Sequence, residues 1–148
     1  VVSHSYDAGP IACAAGEAVL AEVDDRALVA RSAVLGMHLR GGLEELAVRH
    51  PIVGDVRGRG LLQAIELVAR AGATDRFPPD VDPGEIVKRA ALDHGLLLYS
   101  RRQNGGRFGD WLLLAPPLIV DDSVITTIVE RLDAVLSAVE PALLSGNR

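Results

Sequence analysis

The stretch LLLYSRRQNGGRFGDWLLLAPP, residues 96–117, decides the fold. It contains two short apolar strands, LLLYS and WLLLA, on either side of the polar, glycine-rich loop RRQNGGRFGD. This spacing is typical of a β-hairpin, because the two strands are close enough along the chain to pair antiparallel. A further apolar run from Leu61 to Val68 predicts another strand. The sequence therefore indicates a small, mostly antiparallel sheet.

Helical patterns precede, separate and follow these strands. They are an alanine-rich run over 11–22, a long helix between Asp25 and His50, a third from Pro83 to His94, and a last one capped by Asp121 or Asp122. The predicted order is helix, helix, strand, helix, strand, strand, helix. This order favours an α+β fold in which helices cover the small sheet.

Composition and charge exclude several classes of protein. The chain has 148 residues, a size usual for one domain, and a net charge of −5. Its 15 cationic residues are scattered among 20 acidic ones, unlike the basic patch of a nucleic-acid-binding protein. No apolar run approaches the length of a membrane span, and no Cys/His spacing resembles a zinc site. The single cysteine, Cys13, indicates a reducing compartment, so we expect a cytoplasmic protein that binds neither nucleic acid nor membranes.

The histidines offer little for acid–base chemistry. His50 precedes a proline and His94 precedes a glycine at predicted helix ends, so both are expected to be solvated caps. His38 is expected on the surface of the long helix. Only His4 stands among other polar residues, and its neighbour Ser5 does not make it a base, because a nucleophile and its base converge from separate elements.

Two glycine-rich segments could bind an anion. The segment RGRG at 57–60 resembles a phosphate loop, but it precedes a strand instead of a helix, so we interpret its glycines as a structural turn or bulge. The loop RRQNGGRFGD carries Arg101, Arg102 and Arg107, whose guanidinium groups suit bidentate capture of a carboxylate. On composition alone, a solvated hairpin tip explains this loop equally well.

Three motifs carry a resemblance to a known family. They are SYDAGPIACAAGEAVL, VGDVRGRGLLQAIELV and GDWLLLAPPLIVDDSVI. In this order and at these separations, they resemble the C-terminal portion of class III, pyridoxal-phosphate-dependent aminotransferases of fold type I. The resemblance covers essentially the whole chain. It implies that residues 1–22 form an interface loop and alanine-rich helix, that residues 23–148 form the C-terminal small domain, and that the large domain binding pyridoxal phosphate (PLP) is absent.

The resemblance also implies site residues. In the family, a threonine hydroxyl of the polar loop binds the cofactor phosphate of the neighbouring subunit, and Ser5 occupies that position here with its hydroxyl retained. The family uses a mobile arginine, shortly before Gly-Asp-His, to bind a substrate carboxylate. Arg107 is the nearest match, with Arg101 or Arg102 as alternatives. Where the family frequently has that histidine, this sequence has Trp111.

The activity implied is transfer of an amino group between an amine or amino acid and a keto acid or aldehyde, by a homodimer with PLP. A decarboxylase or aminomutase of the same superfamily, or a non-catalytic dimerisation or assembly fragment, remains an alternative. The only lysine, Lys88, lies in the third predicted helix, at no position resembling the family's cofactor-binding lysine. We therefore assign no catalytic residue and no metal site, and expect the 148 residues alone to be inactive. Because the sequence starts at Val1 inside patterned sequence, we expect a longer protein.

Overall fold

The computed structural model of the chain describes residues 9–70 and 75–145. The elements are α1 (Pro10–Asp25), α2 (Leu28–Arg49), β1 (Val53–Arg59), β2 (Leu62–Leu67), α3 (Pro83–Asp93), β3 (Tyr99–Arg102), β4 (Asp110–Leu114) and α4 (Asp122–Ser145). The strands form an antiparallel sheet in the order β1-β2-β4-β3. The predicted α+β fold, a small antiparallel sheet covered by helices, is confirmed.

The structure adds a strand to the predicted order. The residues before Gly60 form β1, which pairs antiparallel with β2. Of the turn or bulge expected at the glycines of the RGRG segment, the structure has the turn: the segment ends β1 and begins the turn into β2. Gly60 has a φ of 55°, a left-handed conformation that glycine adopts without steric cost, and this permits the tight turn. The irregularity in the β1–β2 register lies instead between Val53 and Asp55.

The third strand begins later than predicted. It was expected within residues 96–100, but β3 starts at Tyr99, which pairs with Leu113 of β4. Strand β4 ends at Leu114, one residue after the partner of Tyr99. The leucines before Tyr99 therefore lie beyond the end of the β3–β4 ladder. Leu96 and Leu98 are buried in the core instead. The apolar run LIV at 118–120 likewise forms no strand.

The core lies where α2 and α3 pack on the sheet and α4 packs on both of these helices. Its fully buried side chains are mostly leucine, with Leu39, Leu43, Ile65, Leu112, Leu132 and Leu136 among them. Each such side chain contributes about 1.5–3 kcal/mol when it leaves water. The leucine spacing of α2 thus places one continuous stripe of the helix against the core.

Helix α1 packs on α2 but contributes nothing to this core. None of its residues is buried, and Ile11 and Leu20 are 88% and 66% exposed. An apolar groove of about 620 Å³ lies beside it, lined in part by Val19, Leu118 and Ile119. Among the described residues, no helix is both long and apolar enough to cross a membrane.

Candidate functional site

The loop that joins β3 to β4, residues 103–109, carries the arginine expected to bind substrate. Arg102 and Asp110 pair with each other in the β-ladder and therefore form the base of this loop. Within the loop, Asn104, Gly105, Gly106 and Gly109 all have positive φ, between 48° and 96°. Asparagine and glycine tolerate this left-handed backbone, so the loop sequence suits its tightly turned conformation.

Arg102 fastens the loop to the rest of the domain. Its guanidinium donates hydrogen bonds to the carbonyl oxygens of Val81, Pro78 (3.0 Å) and Gly105 (3.1 Å). Its side chain is only 11% exposed. A guanidinium committed to this many backbone acceptors is poorly placed to bind a substrate carboxylate. The structure therefore disfavours Arg102 as the alternative to Arg107.

Asp110 is a buried carboxylate beside that guanidinium. Its side chain is 1% exposed, and neither carboxylate oxygen has a hydrogen-bond partner among the described residues. Nη1 of Arg102 lies 3.4 Å from Oδ1 of Asp110, which makes an ion pair without hydrogen-bond geometry. Burial raises the pKa of Asp110, and the positive charges of Arg102 and Arg76 offset this only in part. Sequence reasoning did not single out this residue.

Arg107 projects from the loop into solvent. Its Cζ lies 5.7 Å from the centroid of the Phe108 ring, a cation–π contact. Among the described residues, its guanidinium has no hydrogen-bond or ion-pair partner. Arg101, the remaining alternative, is exposed on β3 opposite Trp111 of β4. Arg107 and Arg101 are thus both accessible to a ligand, whereas Arg102 is not.

Two further residues, Ser5 and Lys88, were considered for the cofactor. Ser5 falls outside the described residues. Lys88 lies on α3, where its ammonium group pairs with the carboxylate of Glu85 at the surface. The lysine needed for covalent attachment of PLP is therefore not supplied here, and the described residues do not by themselves fit that cofactor. Nor do they contain a cluster of His, Cys, Asp and Glu that could hold a metal ion.

The expectation that His50 is a solvated cap is wrong. Its ring is buried, with Nε2 at 2.7 Å from Asp133 and Nδ1 at 3.2 Å from Glu140, because α4 covers the end of α2. Asp133 and Glu140 are seven positions apart and so share one face of α4, a spacing that could have indicated a buried polar partner. His38 and His94 are exposed, as predicted.

Comparison with known proteins supplies the family. The family model described as aminotransferase class-III matches residues 2–136. The chain belongs to the class III aminotransferase family. The resemblance inferred from its three motifs is therefore confirmed.

Individual aminotransferases and transaminases are similar to this chain over most of its length. The diaminobutyrate–2-oxoglutarate aminotransferase of Rhizobium meliloti is 32% identical over 133 residues, covering 88% of this chain and 27% of that protein. A transaminase from the marine bacterium Virgibacillus is 27% identical with a TM-score of 0.86, covering 96% of this chain and 32% of that one. An amine transaminase from an uncultivated Pseudomonas species, solved in its PLP-bound form, is 28% identical with a TM-score of 0.81, covering 93% and 30%.

The chain thus spans about three tenths of the length of the curated relatives it matches. These relatives and structures are aminotransferases or transaminases by name. Nothing in them supports the decarboxylase or aminomutase alternative.

Proposed function

We propose that this chain is the C-terminal small domain, with an adjoining interface segment, of a PLP-dependent class III aminotransferase. The complete enzyme transfers an amino group between an amine or amino acid and a keto acid or aldehyde. Bound PLP supplies the group that accepts and releases the amino nitrogen. The observation that carries the proposal is the match to the class III model over residues 2–136 of a chain about three tenths as long as its relatives.

In this proposal, residues 1–22 belong to the interface of a homodimer and residues 23–148 to the small domain. Ser5 donates its hydroxyl hydrogen to the cofactor phosphate of the partner subunit. The apolar side chains of α1 support an interface role, because exposed aliphatic residues such as Ile11 and Leu20 are stabilised when another surface covers them. The exposed, unpaired Cys13 is consistent with a reducing cytoplasm.

Arg107 binds the carboxylate of the substrate. Its planar guanidinium can donate two parallel hydrogen bonds to a carboxylate, which gives both charge and direction. The accessible position of Arg107 and its freedom from acceptors within the described residues support this role. The ring of Phe108 packs on the guanidinium and limits the orientations it can take.

The lysine that attaches to PLP comes from a part of the enzyme beyond these residues. The isolated chain is therefore inactive, and the proposal concerns the full-length protein. Its substrates are small molecules, an amino donor and a keto acid or aldehyde.

The test is to purify the full-length protein with PLP and incubate it with a panel of amines and amino acids plus a 2-oxo acid. Mass spectrometry should show the donor's carbonyl product and the acceptor's amino product in equal amounts. Release of carbon dioxide without transfer of nitrogen would identify a decarboxylase, and conversion of the donor into its positional isomer an aminomutase. Either result, or a full-length protein that binds no PLP, would contradict the proposal.

A further inference from the structure

Burial of the Asp110 carboxylate costs free energy, and packing of the fold does not explain why a charged residue stands there. Its carboxylate is buried to 1% exposure and makes no hydrogen bond within the described residues, although it lies beside a positive guanidinium. Burying a charged group without hydrogen bonds is unfavourable, and a neutral side chain of the same shape would avoid much of that penalty. The direction of its pKa shift agrees, because burial outweighs the attraction of Arg102. The negative charge of Asp110 is therefore better explained by its effect on neighbouring side chains than by a contribution to stability.

The neighbour within reach is Arg102, which joins two segments of backbone. On one side its guanidinium donates to the carbonyls of Pro78 and Val81, and on the other to the carbonyl of Gly105 in the loop. The loop backbone lies directly against the guanidinium, since a Cβ at Gly106 would lie 2.8 Å from Nη2 of Arg102. The Arg102 side chain thus fixes the position of the 103–109 loop relative to the 78–81 segment.

Asp110 lies against one end of that guanidinium. Nη1 of Arg102 faces Oδ1 of Asp110, while Nη2 faces Gly105. Without the negative charge, the guanidinium could rotate among several carbonyls, because Nη2 also lies 3.4 Å from the oxygen of Pro79. A second arginine, Arg76, donates to the carbonyl of Gly106 at 2.9 Å. The two carbonyls immediately before Arg107 are therefore both held by arginines.

We propose that Asp110 is a positioning residue that, through Arg102, fixes the 103–109 loop and so determines where the Arg107 guanidinium meets a substrate carboxylate. This inference rests on the proposed role of Arg107. It assigns part of the enzyme's preference for carboxylate-bearing substrates to a buried side chain that never touches them.

The test uses the full-length PLP enzyme with Asp110→Asn, which keeps the shape and removes the charge. The matched control is Asp93→Asn, an exposed aspartate at the end of α3. The first readout is hydrogen–deuterium exchange of the peptide spanning 103–109, whose turn amides are hydrogen-bonded within the loop. Asp110→Asn should speed exchange in this peptide, and Asp93→Asn should leave it unchanged.

The second readout is the enzyme's preference for substrates that carry a carboxylate, measured as a ratio of kcat/KM values. L-alanine, β-alanine and 4-aminobutyrate are each compared with the amine that has a methyl group in place of the carboxylate. Asp110→Asn should lower the ratio of kcat/KM values for the two members of a pair by about 10-fold, since small misplacement of a positioning group has effects of this order or larger. The loss should appear in KM for the acid, with kcat for the uncharged amine unchanged.

Unchanged exchange of the loop in Asp110→Asn would overturn the inference, whichever arginine binds the carboxylate. Faster hydrogen–deuterium exchange of the loop with an unchanged kcat/KM ratio would show that loop position does not determine the preference for carboxylates. Should Asp110→Asn fail to fold, Arg102→Lys keeps the positive charge but loses the planar guanidinium, and should release the loop in the same way. The proposed role of Arg107 is tested separately. If Arg107 does not bind the carboxylate, Arg107→Gln leaves the ratio of kcat/KM values for acid and amine unchanged.

Discussion

Nε2 of His50 lies 2.7 Å from Oδ1 of Asp133, and the opposite ring nitrogen lies 3.2 Å from Oε2 of Glu140. A ring nitrogen that carries a hydrogen donates it to the carboxylate it faces. Glu140 also accepts a hydrogen bond from the backbone N–H of Ile52 at 3.1 Å. This cluster, His50 with Asp133 and Glu140, connects the corner between α2 and β1 to α4.

Replacing His50 with alanine should lower the free energy of unfolding by about 1–3 kcal/mol, because two partly buried carboxylates lose their shared donor. The measurement is urea unfolding of the 148-residue chain. His94→Ala is the control: His94 is exposed and its Nδ1 lies 2.9 Å from the carbonyl oxygen of Ala90, so its effect should stay within about 0.5 kcal/mol. Equal effects of the two substitutions would contradict a structural role for the cluster.

The stability of the domain should depend on pH through Asp133. The hydrogen bond from His50, followed by that from Arg49, lowers the pKa of Asp133 below its ordinary value of 3.8. A group with a depressed folded-state pKa stabilises the fold above its unfolded pKa and loses that contribution as pH falls through the folded value. Unfolding free energy should therefore decline below about pH 4. Asp133→Asn should reduce the steepness of this decline in urea unfolding between pH 5 and pH 2, and an unaltered profile would contradict the assignment.

Gly36 should not tolerate a side chain. A Cβ at this position of α2 would lie 2.3 Å from the carbonyl carbon of Gly60, so the helix and the β1–β2 turn would have to separate. Gly36→Ala should destabilise the domain by about 1–3 kcal/mol. In the same helix, nothing lies within 4 Å of a Cβ at Gly41, so Gly41→Ala should stabilise it by about 0.5–1 kcal/mol. Thermal unfolding of the two variants should show shifts of opposite sign.

Removing the guanidinium of Arg107 should affect acids selectively. In the full-length enzyme, Arg107→Gln should raise KM for carboxylate-bearing substrates by roughly 10- to 100-fold, the range expected for loss of a hydrogen bond to a charged group. Turnover of amines without a carboxylate should change little. Steady-state kinetics of Arg107→Gln and Arg101→Gln, measured side by side, distinguish the two accessible arginines. A selective effect in Arg101→Gln alone would transfer the role to that residue.

Loss of the Ser5 hydroxyl should weaken cofactor retention. If Ser5 binds the phosphate of PLP across the dimer, Ser5→Ala should raise the dissociation constant of PLP by roughly 10-fold, as expected for one hydrogen bond to a charged group. Ser5→Thr, which keeps the hydroxyl, should restore affinity, and Ser3→Ala should leave it unchanged. Equilibrium dialysis followed by the cofactor's absorbance measures all three. Equal affinity in Ser5→Ala and the unmodified enzyme would remove the assigned role.

The fold was predictable where the signal is local. The leucine spacing of α2 and the hairpin around residues 103–109 were both evident in the sequence. Strand β1 was missed because its glycines, including Gly54 and Gly58, have low strand propensity, and pairing with β2 overrides that preference. The burial of His50 was missed because it depends on α4, which is distant in sequence.

The site was predictable only in outline. Three loop arginines were equivalent in composition, and packing alone separates them: Arg102 is held by backbone carbonyls, while Arg101 and Arg107 are exposed. Asp110 stood in the sequence only as part of the Gly-Asp motif, and its burial was not evident because it depends on how β4 pairs with β2 and β3. The role of Ser5 stays a prediction from the family resemblance.

Helix α1 has a consequence for how the enzyme assembles. A segment of this length is only marginally helical in water by itself, and α1 gains little from a core to which it contributes no buried side chain. Its order should therefore depend on docking against other polypeptide. In the proposed homodimer, folding of α1 and association of the subunits would be a single coupled event, and concentration, as much as temperature, would set the fraction of molecules in which this helix exists.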